Sequence, residues 1–160
     1  MLVLTPTREL AQQIHSVLEP LARAMGMRAA CVFGGVGFDA QTKALRQGCP
    51  IIVATPGRLI DHLGRRNTRF DNLSVLVMDE ADRMLDMGFL PDIQRIINLL
   101  PTKRQNLMFS ATFSEDIKRL ANQIMRNPTL IEVARRNLRP EQVEINEDGG
   151  AGVAGGEVIA

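Results

Sequence analysis

The chain has 160 residues, of which 45% are hydrophobic and 23% charged, and nineteen basic against eighteen acidic residues leave a formal net charge of +1. That is ordinary globular composition, long enough for one domain with one core. It excludes a disordered chain, a collagen, a disulfide scaffold and a strongly basic protein that coats nucleic acid, though not a local basic face. With no Trp or Tyr and only six Phe, nucleic-acid binding cannot rest on broad aromatic stacking platforms. Cys31 and Cys49 form no CxxC pair and are expected to be reduced thiols. The start, MLVLTPTREL, lacks the basic and apolar regions of a secretory signal. No apolar run approaches the ~20 residues that span a bilayer. The expected setting is therefore cytoplasmic, or nuclear if the source has a nucleus.

Short apolar runs alternate with helical patterns along the chain. Residues 2–4 read as the end of a buried strand, and Leu10, Ile14, Val17, Leu18 and Leu21 predict a helix over 9–25, stopped by Gly26. A second strand is expected over 28–33, then a turn at Gly34 and Gly35, a short amphipathic helix over 38–47 and a third strand over 51–53. Pro56 suits the first turn of a helix running to about residue 63. The polar, basic stretch 65–72 reads as a solvated loop. A fourth strand over 73–78 runs into Asp79 and Glu80; helical pieces over 82–86 and 91–100 follow, and then a fifth strand over 106–109. Ser114 reads as the N-cap of a helix reaching about residue 126, and 130–133 as a last strand. Continuous apolar strands between helices imply an α/β fold with a mainly parallel sheet covered on both faces. From 137 to 160 the pattern fails and a flexible Gly/Ala-rich tail is expected, leaving one domain over 1–136. His15 and His62 read as surface residues, and Met78, Met84, Met87 and Met108 as core or near-core filler.

Several strand ends carry chemistry. Asp79, Glu80 and Asp82 follow an apolar strand at the end of a sheet where ligands gather in open α/β folds. Such charge calls for a hard cation such as Mg²⁺, beside which a carboxylate can orient or deprotonate water. The plainer alternative is an acidic helix start. Ser110 and Thr112 end another strand, either to bridge to those carboxylates or to cap the next helix. Pro6, Thr7 and Arg8 resemble Thr55, Pro56, Gly57 and Arg58: each set follows a buried strand and opens a helix. Backbone N–H groups, a Thr hydroxyl and one Arg make a phosphate grip. Gly34 and Gly35 let backbone approach a ligand closely. Any one of these is also an ordinary capped turn; three at one sheet end point to a groove tracking a sugar-phosphate backbone.

PTRELA from Pro6, the Gly34–Gly35 pair, TPGR from Thr55, DEAD from Asp79 and SAT from Ser110, in this order, resemble the DEAD-box ATP-dependent RNA helicases, with MLDMGF and FSATF extending the likeness across about 1–137. The resemblance implies a RecA-like three-layer domain. It implies ATP and Mg²⁺ as cofactors, with Asp79 holding Mg²⁺ through water and Glu80 positioning the attacking water. It implies that Asp82 bonds Ser110 or Thr112, linking the nucleotide site to strand separation. Pro6, Thr7, Arg8, Gly34, Gly35, Thr55, Pro56, Gly57 and Arg58 would grip one RNA strand by its backbone, with little sequence preference.

The family also needs GxxxxGK[ST], an upstream adenine-reading segment and a second RecA-like domain; no GK[ST] occurs in this sequence. The expectation is a partial domain, cut at the N-terminus, that neither binds ATP tightly nor unwinds RNA by itself. An open apolar edge near Leu107 and Phe109 is expected with it. The alternative is a non-catalytic module binding RNA or a partner. A carboxylate-metal phosphatase of another α/β family would account for the acids alone.

Overall fold

A computed structural model describes residues 1–133 and, as backbone, three short strands at 144–145, 151–152 and 157–159. The elements run β1 (Leu2–Leu4), α1 (Arg8–Ala24), β2 (Ala29–Val32), α2 (Asp39–Arg46), β3 (Ile51–Ala54), α3 (Pro56–Gly64), β4 (Val75–Met78), α4 (Ala81–Asp86), α5 (Leu90–Ile97), β5 (Gln105–Ser110), α6 (Glu115–Ile124) and β6 (Ile131–Val133). β7 (Glu144–Ile145), β8 (Ala151–Gly152) and β9 (Glu157–Ile159) follow. No helix among the described residues is long and apolar enough to cross a membrane.

The first five strands pair in parallel in the order β2-β3-β1-β4-β5. Alternation along each strand splits the core into two layers. Leu2, Leu4, Ile52, Ala54, Leu76 and Met78 face one way, onto Leu59, Met84, Ile93, Ile96, Ile117 and Leu120 of the later helices. Val3 and Val53 face the other way, onto Ala11, Ile14 and Leu18 of α1. Both faces are thus apolar, which is why these strands read as unbroken hydrophobic runs.

Helix starts follow their local chemistry. The Thr7 hydroxyl accepts from Leu10 N–H at 3.2 Å and the Ser114 hydroxyl from Ile117 N–H at 3.3 Å. Each satisfies a donor the helix leaves unpaired. Pro56 opens α3, where its missing N–H costs nothing.

Four expectations need correction. His62 is fully buried rather than on the surface, and His15 is half-buried. The loop 65–72 is not wholly solvated, since Asn67 and Phe70 are buried. Met87 is exposed: it is the C-cap of α4, which ends at Asp86, and Gly88 (φ +81) turns the chain directly after it. The edge of β5 is also not open at Phe109 and Ser110, where β9 pairs antiparallel, with β6 beyond it. Apart from β7, β8 and β9, the expected tail over 137–160 lies outside the described residues.

Candidate functional site

A parallel sheet puts all its strand C-termini on one rim. Along that rim the structure sets, in order, the Gly34–Gly35 turn after β2, Thr55–Arg58 after β3, Pro6–Arg8 after β1, Asp79–Asp82 after β4 and Ser110–Thr112 after β5. Every site residue singled out in the sequence lies at one of these five turns.

The first three turns are tied together. Arg58 Nη1 donates to the Val36 carbonyl at 2.9 Å, joining α3 to the glycine loop. Gly35 has φ +81, a backbone state that favours glycine, and a side chain there would meet Arg8 Nη1 at 3.5 Å. The Arg8 side chain is half exposed and also reaches Glu9 Oε1 at 3.4 Å. Thr5 N–H donates to the Ala54 carbonyl at 3.0 Å and Thr55 N–H to Val32 at 2.9 Å, which continues the ladder past the strands and fixes both turns. The Thr55 side chain makes no cap bond at the start of α3. The Phe38 ring has two guanidinium groups stacked over it, Arg58 at 4.2 Å and Arg65 at 4.1 Å from its centroid. Sequence places Phe38 at the start of a helix and Arg65 in a basic loop, and nothing local predicts a stack between positions so far apart.

Of the other two turns, the one after β4 is acidic and the one after β5 carries hydroxyls. Asp79 N–H donates to the Leu4 carbonyl at 2.9 Å, carrying the β1–β4 ladder to the first carboxylate. Asp79 Oδ1 accepts from Glu80 N–H at 2.9 Å. Glu80 has φ +51, a left-handed state that costs a residue with a side chain roughly 1–2 kcal/mol. Its carboxylate meets Arg83 Nη1 at 3.3 Å, an exposed pair of little net worth. Thr112 Oγ1 donates to Asp82 Oδ2 at 3.2 Å, so Thr112 makes the bridge expected between β5 and the acids. Ser110 does not: its buried hydroxyl has no partner among the described residues.

Those oxygens suit Mg²⁺, which takes one or two carboxylates and fills its shell with water and phosphate oxygens. Among the described residues no group of three or more His, Cys, Asp or Glu is placed to hold a metal. The donor set therefore fits a cation shared with a ligand rather than one caged by protein. A cleft of about 860 Å³ lies at the far end of β5, beside Arg104, Gln105 and Asn106; no rim residue lines it.

A residue set that sequence reasoning missed lies just behind Arg58: Gln41, His62 and Asn67, all buried. Helical spacing gave one signal, since His62 is three residues after the buried Leu59.

A three-layer α/β domain with tight turns and carboxylates on one rim belongs to the RecA-like class of nucleotide-handling folds. The family model for the DEAD/DEAH box helicases matches residues 1–120, and the chain belongs to that family. It is 45% identical to ATP-dependent RNA helicase DbpA of Bacillus subtilis, over 89% of this chain and 30% of that protein. It is 46% identical to ATP-dependent RNA helicase RhlB of Pseudomonas putida, over 89% of this chain and 37% of that protein. Its fold is similar to the crystal structure of the yeast DEAD-box splicing factor Prp28, with a TM-score of 0.74 and 34% identity, covering 78% of this chain and 30% of that one. The chain thus spans about a third of the length of the relatives it matches.

Proposed function

We propose that the chain acts as the first RecA-like domain of an ATP-dependent RNA helicase, gripping one RNA strand on β2, β3 and β1 and serving ATP chemistry on β4 and β5. The order of turns along the rim carries this reading. Three backbone-directed turns adjoin one another, and β1 pairs directly with the acidic strand β4. A strand held at Arg8 therefore lies one strand away from the carboxylates.

On this reading Pro6, Thr7, Arg8, Gly34, Gly35, Thr55, Pro56, Gly57 and Arg58 face successive phosphates and 2′-hydroxyls. Asp79 holds Mg²⁺ through water, and the cation offsets phosphate charge. Glu80 orients and deprotonates the attacking water. The Thr112–Asp82 bond transmits between β5 and the acids. A second RecA-like domain is the partner that completes both sites. A cytoplasmic setting accords with two free thiols.

The absence of GK[ST] from these 160 residues favours a second reading for this chain by itself, RNA binding without turnover. Filter binding of single-stranded RNA beside an ATPase assay tests both. RNA retention that Arg58→Ala weakens, with no turnover from the 160 residues alone, is the expected result. Failure to retain RNA at low salt overturns the groove; hydrolysis of a small phosphomonoester without RNA dependence favours a phosphatase.

A further inference from the structure

Three polar side chains are buried behind the glycine loop: Gln41 is 8% exposed, His62 0% and Asn67 4%. Such burial is costly unless each group is bonded. Here they form a chain. Gln41 Nε2 donates to the Phe33 carbonyl at 3.0 Å. Gln41 Oε1 takes His62 Nε2 at 3.1 Å, and His62 Nδ1 takes Asn67 Nδ2 at 3.0 Å. The pattern requires the tautomer with its proton on Nε2. Asn67 is turned inward by Arg66, whose φ is +54, and its other contacts are Thr42 Oγ1 at 3.3 Å and Arg46 Nε at 3.2 Å.

The loop this chain touches cannot hold itself. Of residues 34–37, three are glycine and all are exposed. Glycine gives up more backbone freedom on ordering than any other residue. Two side-chain bonds bracket the pair: Gln41 on Phe33, just before Gly34, and Arg58 on Val36, just after Gly35. The two brackets also meet, Arg58 Nη1 lying 3.5 Å from Gln41 Oε1.

We propose that Gln41 and His62 are positioning residues for RNA binding: the buried pair fixes the Gly34–Gly35 turn against Arg58, so that both present one groove. The proposal rests on the RNA reading of the rim. Neither residue touches RNA; each acts through the loop and the guanidinium. A fully bonded buried network is suited to this, because it is rigid and specifies one geometry.

The test uses the whole 160-residue chain, a fluorescein-labelled single-stranded RNA dodecamer read by anisotropy, and hydrogen exchange of residues 33–38. His62→Leu is expected to weaken binding by about threefold to tenfold, the worth of one net hydrogen bond. Exchange at 34–37 should quicken in step. His62→Gln, which restores an N–H toward Gln41, should return affinity to within about twofold of the native chain. Gln41→Met, which keeps the volume, carries the same test should His62→Leu fail to fold. Native binding left unchanged by His62→Leu or Gln41→Met overturns the proposal and leaves the RNA reading standing. Equal weakening by His62→Leu and His62→Gln also overturns it, since packing alone would then account for the loss. A native chain that does not bind the RNA overturns the groove itself and the proposal with it.

Discussion

The two halves of the rim are built differently. On the β2–β3–β1 side, side chains from one turn bond the backbone of the next, and a buried polar cluster backs them. On the β4–β5 side, one exposed hydrogen bond joins Thr112 to Asp82, Glu80 is held in a left-handed state, and the Ser110 hydroxyl is buried without a partner among the described residues. The first half is preorganised by this chain's own residues. The second carries a strained backbone at Glu80 and, among the described residues, a hydrogen bond left unmade at Ser110.

The sharpest break of that contrast is Arg58→Ala against Glu80→Gln. The first removes the Val36 tether and, on the proposed RNA reading, a phosphate contact; RNA affinity should then fall about tenfold or more and the salt slope by about one, read by anisotropy across a salt series. Glu80→Gln should leave RNA affinity unchanged, and a comparable loss there would erase the division into halves. Next, Ser110→Ala should stabilise the fold by about 1 kcal/mol in urea unfolding, because it deletes a buried hydroxyl that has no partner among the described residues. Destabilisation would mean that the hydroxyl has a partner. Glu80→Asn should add roughly 0.5–1 kcal/mol, since Asn tolerates the left-handed state better.

His62 gives the preorganised half a pH signature. Burial, then the nearby Arg58 and Arg65, push its pKa below the ordinary 6.5, with Asp61 opposing. The unfolded chain therefore binds more protons near pH 6 than the folded one, and stability falls as pH drops through 6.5 toward the lowered value. Melts at stepped pH should show this, and His62→Gln should flatten it. The smallest effect belongs to Thr112→Val, about 0.5 kcal/mol for one exposed bond, with RNA affinity untouched.

Much of this was legible in the chain because strands buried on both faces must be continuously apolar and their turns must follow directly. Asp79–Asp82, Thr55–Arg58 and Pro6–Arg8 each abut such a run, so their place on one rim followed once the sheet was parallel. What sequence concealed was contact across it. Gln41 and His62 are 21 residues apart, and Asn67 reaches them through the left-handed turn at Arg66. A histidine on a helix carries no sign of partners on another. Likewise no local pattern distinguishes Thr112, which bonds Asp82, from Ser110, which does not.

The thiols have a practical bearing. Cys31 sits half-buried in β2 with its pKa pushed up to about 11 by burial, and burial also raises that of Cys49, despite Arg28 nearby. Both are poor nucleophiles at neutral pH. The chain is thus a quiet background for site-specific labelling. A single cysteine introduced at Val36 or Arg83 would take a maleimide dye well ahead of the native pair, and motions of the two flanks could be followed separately in real time.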